Sequence, residues 1–182
     1  MSDQPVTPAD DSPGPSSLRV GLGYDLHRLV EGRPLKLCGV EIDFPLGLLG
    51  HSDGDAALHA VADALLGACA LGDLGQHFPD SDPAFAGADS GELLRRVVEL
   101  VAQAGFEAVN VDLVILAEKP RLAPWREQMR ESLATLLGLP LSAVSVKATT
   151  NEGLGPVGAG EAIAAMAVVL VQPRPRRTKA GQ

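Results

Sequence analysis

The sequence predicts an α/β fold of the α+β type, in which a single mixed β-sheet carries helices on one face. The first observation is the order of the periodic segments, which is ββ(β)ααβαββ along the chain. The second is composition, because 182 residues with 46% apolar and 21% charged side chains suffice for one globular domain. The third is a final segment that is apolar on both sides, so helices on one face would leave half of it uncovered.

The two ends of the chain differ in composition from the middle. Residues 1–17 are rich in Pro, Ser and Asp, and residues 173–182 are rich in Pro and Arg. Neither end can bury enough apolar area to offset the entropy lost on ordering it. We therefore predict a disordered acidic tail over 1–17, one domain over 18–172, and a disordered basic tail over 173–182.

The first half of the domain predicts short strands and then a long helix. Residues 18–24 alternate as a strand, and residues 34–44 predict two short strands around a Cys-Gly turn. Ser52 or Asp53 can cap a helix that runs to about Ala70.

The second half predicts two helices and three strands. They are a helix that Asp89 or Ser90 opens and Gly105 ends, a strand over 106–117, a helix between Pro124 and Gly138, and strands over 144–148 and 161–171. The length and the Val and Leu content of 161–171 favour a strand, and a buried helix is the alternative. Because this strand is apolar on both faces, self-association would cover the face that the helices leave open.

Composition also narrows the location and the partners of the protein. The chain has no apolar run of 18 residues and no basic start followed by an apolar core, so we expect a cytoplasmic protein without a membrane partner. A net charge of −8 and 3% aromatic residues disfavour binding to nucleic acid. The two cysteines, Cys38 and Cys69, lie in unrelated contexts, so a bound metal would need His and carboxylate ligands.

One group of polar residues has the pattern of a catalytic metal site. Asp25 and His27 are two residues apart at the end of a strand, so their side chains lie on the same side. His59 has Asp55 and Asp63 four residues to either side on an otherwise apolar helix, and one of these carboxylates can orient it. Asp, His and His leave one position of a tetrahedral zinc open, whereas each His taken alone is more often structural.

A second group precedes and follows the long helix. His51 and Ser52 stand just before its predicted N-terminus, where backbone N–H groups favour an anion, although an N-cap alone explains them as well. The following loop, residues 72–82, contains Asp73, Asp80 and Asp82 and could bind a polyol or cations. Ordinary turn chemistry explains that loop nearly as well.

A third group lies in the glycine-rich stretch over residues 147–161. Residues 153–158 match a G-x-G-x-x-G pattern, but the chain ends too soon for the second strand and acidic residue of a dinucleotide fold. The informative residues are Thr149, Thr150 and Glu152. Their hydroxyls can hold phosphate oxygens beside a carboxylate that can hold Mg²⁺.

These motifs together resemble one enzyme family. GYDLHRL, GLLGHSDGDAALHAVADALLGACALGDLGQHFPDSDPAFAGADS and VKATTNEGLG occur in the order found in the 2-C-methyl-D-erythritol 2,4-cyclodiphosphate synthase family, and the match covers residues 18–171. The resemblance implies a lyase of non-mevalonate isoprenoid synthesis that closes a cyclic diphosphate and releases CMP from a cytidine diphosphate substrate. It also implies a homotrimer around a central apolar cavity, with active sites between subunits, and Zn²⁺ and Mg²⁺ (or Mn²⁺) as cofactors.

The resemblance assigns roles to individual residues. It implies that Asp25, His27 and His59 hold Zn²⁺, that Glu152 holds Mg²⁺, and that His51 and Thr150 stabilise the transition state. The residues implied to bind the rest of the substrate are Ser52, Asp73, Gly75, Phe78, Pro79, Asp80, Ser81 and Asp82. The implied cytidine pocket, largely for the adjacent subunit, spans residues 117–123 together with two residues of a later strand. The contacts named within it are Ala117, Arg121, Leu122, Ala123, Ala148 and Thr149.

Four positions depart from the family pattern. Arg121 replaces a usual Lys, Asn151 replaces a Thr, and Pro156 and Ala159 stand where the family often has an aromatic or apolar residue and an Arg. None of them removes an implied metal ligand. The alternatives left open by the sequence are a metal-dependent phosphohydrolase and a catalytically silent trimeric scaffold, because water could attack the same phosphorus.

Overall fold

The chain folds into a mixed β-sheet with helices across one face. A computed structural model describes residues 17–79, 81–85 and 87–174. Its strands are β1 (Arg19–Glu31), β2 (Leu35–Leu37), β3 (Val40–Ile42), β4 (Leu46–Leu48), β5 (Phe106–Leu116), β6 (Val144–Thr149) and β7 (Ala162–Pro173). Its α-helices are α1 (Ala56–Ala68), α2 (Leu74–His77), α3 (Ser90–Gln103), α4 (Arg126–Leu137) and α5 (Gly155–Gly158).

The main sheet has five strands in the order β4-β1-β7-β5-β6. β1 pairs antiparallel with β4 and β7, β7 pairs antiparallel with β5, and β5 pairs parallel with β6. β2 and β3 form a separate hairpin. The mixed sheet predicted from the sequence is therefore confirmed, and residues 162–173 form a strand, not the alternative helix. Of the predicted tails, only Ser17, Pro173 and Arg174 lie within the described residues.

The segment between β3 and α1 differs from the prediction. β4 in this segment was not predicted, and neither were the one-turn helices α2 and α5 farther along the chain. Helix α1 is capped by Asp55, whose side chain accepts a hydrogen bond from Leu58 N. The predicted caps at Ser52 and Asp53 are wrong because Gly54, with a φ of 78°, turns the chain just before the helix. A Cβ at Gly54 would lie 2.6 Å from the carbonyl oxygen of Leu48, so this turn requires glycine.

The other helices follow their predicted end signals. Asp89 caps α3 by accepting a hydrogen bond from Glu92 N at 3.0 Å. Pro124 lies in a 3₁₀ turn that leads directly into α4, and Gly138 ends α4 in the left-handed conformation. None of the helices in the described part of the chain is long and apolar enough to cross a membrane.

Helix α1 lies directly on strand β1. Gly21 and Gly23 face the helix, and a Cβ at either would overlap the backbone carbonyl of Ala64 or Ala60. The two glycines therefore let the helix and strand backbones approach more closely than any other residue would allow. This contact fixes the position of α1 on the sheet.

The opposite face of β1 and β7 carries exposed apolar side chains. Tyr24 and Leu22 of β1 lie opposite Met166 and Val168 of β7. The exposed apolar face, as we call it below, comprises Val20, Leu22, Tyr24, Leu26, Met166 and Val168. Helices α1, α3 and α4 cover the other side of the sheet, as the sequence predicted, and the one-turn helix α5 packs on this face, where Val157 clusters with Ala162 and Ala164 at the start of β7.

The α1–β1 contact yields the first testable prediction. Gly21→Ala should lower the free energy of unfolding by about 1–3 kcal/mol or more, because the new methyl group overlaps the Ala64 carbonyl oxygen. Gly67→Ala is the matched control: Gly67 lies in α1, and its Cβ would have no atom within 4 Å, so this change should be neutral or stabilising. Urea unfolding at one fixed protein concentration measures both. Equal stabilities for the two variants would contradict the close contact.

Candidate active site

Three potential metal ligands converge where α1 crosses β1. Asp25 and His27 continue the face of β1 that bears Gly21 and Gly23, so they point toward the helix. His59 lies in the first turns of α1, just before Ala60, whose carbonyl oxygen lies against Gly23. The close helix–strand contact therefore brings His59 to Asp25 and His27.

The ligand atoms have the spacing of a tetrahedral metal site. Asp25 Oδ2 lies 2.8 Å from His27 Nε2 and 2.9 Å from His59 Nδ1, and the two nitrogen atoms are 3.2 Å apart. Metal–ligand bonds of about 2.0–2.1 Å in a tetrahedron place neighbouring ligand atoms ~3.3 Å apart. The residues present therefore fit a divalent ion with two imidazoles and one carboxylate.

The charges of these groups suit a cation. Burial would raise the pKa of Asp25, but hydrogen bonds from His27 and His59 outweigh that effect and hold the pKa well below its ordinary value. The hydrogen bond to Asp25 in turn raises the pKa of His27. Because a metal must displace the proton shared in this cluster, metal affinity should fall at acid pH.

Hydrogen bonds select which nitrogen of each His faces the ion. His27 Nδ1 lies 2.7 Å from the carbonyl oxygen of Leu49, so it carries the proton and leaves Nε2 free as a ligand. His59 Nε2 lies 3.0 Å from Ser90 Oγ, and the Ser90 hydroxyl donates to Asp53 Oδ1. That hydroxyl therefore accepts from His59 Nε2–H, which leaves Nδ1 as the ligand.

The carboxylates predicted to orient His59 serve other purposes. Asp55 accepts hydrogen bonds from the backbone of the β2–β3 turn, at 3.0 Å from Cys38 N and 2.6 Å from Gly39 N, besides capping α1. Asp63 accepts from Leu74 N at 2.7 Å and so fixes the start of α2. Burial raises the pKa of both carboxyls. The prediction that one of them orients His59 is wrong, and Ser90 takes that position.

A cavity of about 240 Å³ surrounds the three ligands. Of the residues predicted to act on the substrate, His51, Ser52, Gly75 and Phe78 line it. The Ser52 side chain is only 7% exposed, and its hydroxyl lies 3.1 Å from both His59 Nε2 and Gly54 N. Ser52 therefore also contacts the ring nitrogen of His59 that faces away from Asp25 and His27.

The other residues predicted to bind the substrate lie farther along the chain. Asp73 caps α2 by accepting from Gln76 N at 2.9 Å, and Asp82 accepts from Ala84 N at 2.9 Å. Pro79 and Ser81 lie between them, and Asp80 falls outside the described residues. Asp73 and Asp82 thus make the ordinary turn hydrogen bonds that offered an alternative explanation of residues 72–82.

A second cavity, of about 340 Å³, lies at the ends of β5 and β6. All six residues predicted to bind cytidine line it: Ala117, Arg121, Leu122, Ala123, Ala148 and Thr149. Glu118, Pro120 and Thr150 complete its lining, and the first two fall within the stretch 117–123 that the resemblance assigns to the cytidine pocket. Thr150, at the edge of this cavity, donates a hydrogen bond from its Oγ1 to Glu152 Oε1 at 2.9 Å.

The fold and the two cavities define an α/β protein with a cluster that could hold a metal ion in one cavity and a separate pocket beside the ends of two parallel strands. The chain belongs to the YgbB family, whose family model matches residues 18–172. The resemblance drawn from the three motifs is therefore confirmed.

Curated relatives match this chain over nearly the whole of their own lengths. A 2-C-methyl-D-erythritol 2,4-cyclodiphosphate synthase from Laribacter hongkongensis is 60% identical over 158 residues, which are 87% of this chain and 98% of the relative. The synthase from Chlorobaculum tepidum is 56% identical over 155 residues, 85% of this chain and 99% of the relative.

Solved structures share the fold. A 2C-methyl-D-erythritol-2,4-cyclodiphosphate synthase in its CDP-bound form is similar with a TM-score of 0.79 and 45% identity, over 85% of this chain and all of that one. The bifunctional IspDF from Campylobacter jejuni is similar with a TM-score of 0.84 and 40% identity, over 87% of this chain and 43% of that longer one.

The hydrogen bond from His59 to Ser90 yields a prediction about metal affinity. Ser90→Ala should weaken zinc binding by about 10- to 100-fold, because His59 loses the group that fixes its tautomer and ring orientation. Competition with a chromophoric chelator measures the affinity. Ser142→Ala, at an exposed position on the α4–β6 connection, is the control and should bind zinc normally. Normal affinity in Ser90→Ala would show that Ser90 does not orient the ligand.

Proposed function

We propose that this chain converts 4-diphosphocytidyl-2-C-methyl-D-erythritol 2-phosphate to 2-C-methyl-D-erythritol 2,4-cyclodiphosphate and CMP, a step of non-mevalonate isoprenoid synthesis. The observation that carries the proposal is that one chain holds both the Asp25, His27 and His59 cluster and a pocket lined by all six predicted cytidine contacts. The relatives named above are synthases of this cyclic diphosphate, and one solved relative is described as CDP-bound.

We propose zinc for the Asp25, His27 and His59 cluster and Mg²⁺ or Mn²⁺ for the carboxylate of Glu152. Two imidazoles and one carboxylate are the ligands of catalytic zinc sites, whereas Mg²⁺ prefers oxygen ligands. When bound, these cations would neutralise phosphate charge and polarise phosphoryl oxygens. They would also compensate for a protein of net charge −8 that must bind an anionic substrate.

The reaction needs no nucleophile from the protein. An oxygen of the substrate's own 2-phosphate attacks the β-phosphorus, and the bond from that phosphorus to the bridging oxygen breaks, so CMP leaves with that oxygen. The chain contributes positioning and charge stabilisation. His51 and Thr150 would hydrogen-bond to the phosphoryl oxygens, and Arg33 braces the His51 loop by donating to the Gly50 carbonyl oxygen at 2.9 Å.

We propose that the enzyme is a homotrimer whose sites combine two subunits. Asp25 on β1 is in register with Ala165 on β7, Ile115 on β5 and Ala148 on β6. The metal cluster and the cytidine pocket of one chain are thus three strand spacings, ~14 Å, apart. The pocket of one subunit would therefore serve the metal cluster of the next. Burial of the exposed apolar face would stabilise the assembly around a central apolar cavity.

The products test the proposed reaction. With zinc and Mg²⁺ present, ³¹P NMR should show a cyclic diphosphate and CMP in equal amounts from 4-diphosphocytidyl-2-C-methyl-D-erythritol 2-phosphate. A linear phosphate product would instead indicate the phosphohydrolase. Absence of any turnover by a zinc-loaded protein would indicate the silent scaffold. The control is His59→Ala, which lacks one ligand and should form no product.

Mixed trimers test the shared site. His59→Ala removes the metal cluster, and Ala148→Trp fills the cytidine pocket, so each variant alone should be inactive. In randomly mixed trimers about one quarter of the sites combine an intact cluster with an intact pocket, so about one quarter of wild-type activity should return. Native mass spectrometry verifies the mixing. Mixed trimers without activity, or a fully active monomer in analytical ultracentrifugation, would contradict the shared site.

A further inference from the structure

Glu118 holds the loop that carries two of the proposed phosphoryl-binding residues. It lies two residues beyond the end of β5, and its side chain is partly buried. A single carboxylate oxygen, Oε1, accepts hydrogen bonds from Asn151 N at 3.0 Å and from Gly153 N at 3.1 Å. Glu118 lies within the stretch 117–123 that the resemblance assigns to the cytidine pocket, but no hold on the following loop was predicted for it.

The two backbone donors lie on either side of Glu152. Glu152 has a φ of 51°, a left-handed conformation that non-glycine residues adopt only where the surroundings enforce it. Thr150 Oγ1 donates to Glu152 Oε1 at 2.9 Å, so the two side chains are held together on this turn. The Glu118 carboxylate therefore fixes the backbone that sets where Thr150 and Glu152 point.

Glu118 also belongs to the cytidine pocket. It lines that pocket with Thr149 and Thr150, and its neighbour Ala117 donates a backbone hydrogen bond to Thr149 O at 3.0 Å. The residue thus joins the segment that would bind the nucleoside to the segment that would contact the phosphates. Three hydrogen bonds therefore connect the two segments.

We propose that Glu118 is a positioning residue that holds Thr150 and Glu152 in their reactive arrangement against the wall of the nucleoside pocket. This inference rests on the proposed function, because it is the cyclisation that needs Thr150 and Glu152 in place. Its role requires a hydrogen-bond acceptor at Oε1 and not a negative charge. The amide oxygen of Gln can accept the same two bonds, whereas Ala can accept neither.

Steady-state kinetics and CMP calorimetry test this role. Glu118→Ala should lower kcat by about 30-fold, because displaced phosphoryl contacts slow the reaction, while KM and the Kd for CMP change by less than about 3-fold. Glu118→Gln should keep kcat within about 3-fold of wild type. Glu131→Ala, which removes an exposed carboxylate on α4, is the control and should match wild type.

Amide hydrogen exchange gives a readout that does not depend on activity. In Glu118→Ala, the amides of Asn151 and Gly153 should exchange at least about 10-fold faster than in Glu118→Gln. The exchange rates of the amides in the β-sheet should be the same in both variants. If the wild-type protein forms no cyclic product, the proposed function fails and the exchange result still decides whether Glu118 holds the loop.

Three results would overturn the proposal. An equal loss of kcat in Glu118→Gln and Glu118→Ala would mean that the charge matters, as for a cation ligand. A weaker CMP affinity with unchanged kcat in Glu118→Ala would make Glu118 a nucleotide contact. Unchanged exchange of Asn151 and Gly153 in Glu118→Ala would show that the carboxylate does not fix the loop.

Discussion

The contact between α1 and β1 at Gly21 and Gly23 determines most of this architecture. Because neither glycine has a side chain, the helix backbone rests on the strand backbone, and His59 lies against Asp25 and His27. A larger residue at either position would lift the helix and separate the ligands. The same packing places α1, α3 and α4 on one face of the sheet and leaves apolar side chains of β1 and β7 exposed on the other.

The protein is acidic as a whole, and the charges of the possible metal ligands are balanced by polar groups beside them. Despite burial, hydrogen bonding with His27 and His59 holds the pKa of Asp25 well below its ordinary value, and Ser90 connects His59 to the carboxylate of Asp53, which Lys36 approaches to 3.4 Å. Such a chain of polar groups aims the ligands at a cation without adding net charge at the site. The turn at Glu152 is organised differently, because the backbone N–H groups on either side of it donate to a single carboxylate oxygen of Glu118.

Local patterns predicted the elements better than the contacts among them. The Cys-Gly turn, the Asp89 cap and the Gly138 end are encoded within a few residues, so they were predictable. The hydrogen bond from His59 to Ser90 was not predictable, because Ser90 is 31 residues away. In the sequence, Ser90 indicates only the start of a helix. Glu118 likewise meets its loop 33 residues later, and no pattern in the sequence marks that contact.

Asp25 Oδ2, His27 Nε2 and His59 Nδ1 are spaced to hold one metal ion in a tetrahedral site. Anomalous diffraction at the zinc edge, from crystals of the wild-type protein grown with zinc, tests it most directly. We expect one strong peak within about 2.0–2.3 Å of all three atoms. A peak bound to the other nitrogen of either histidine, or no peak at this cluster, would contradict it.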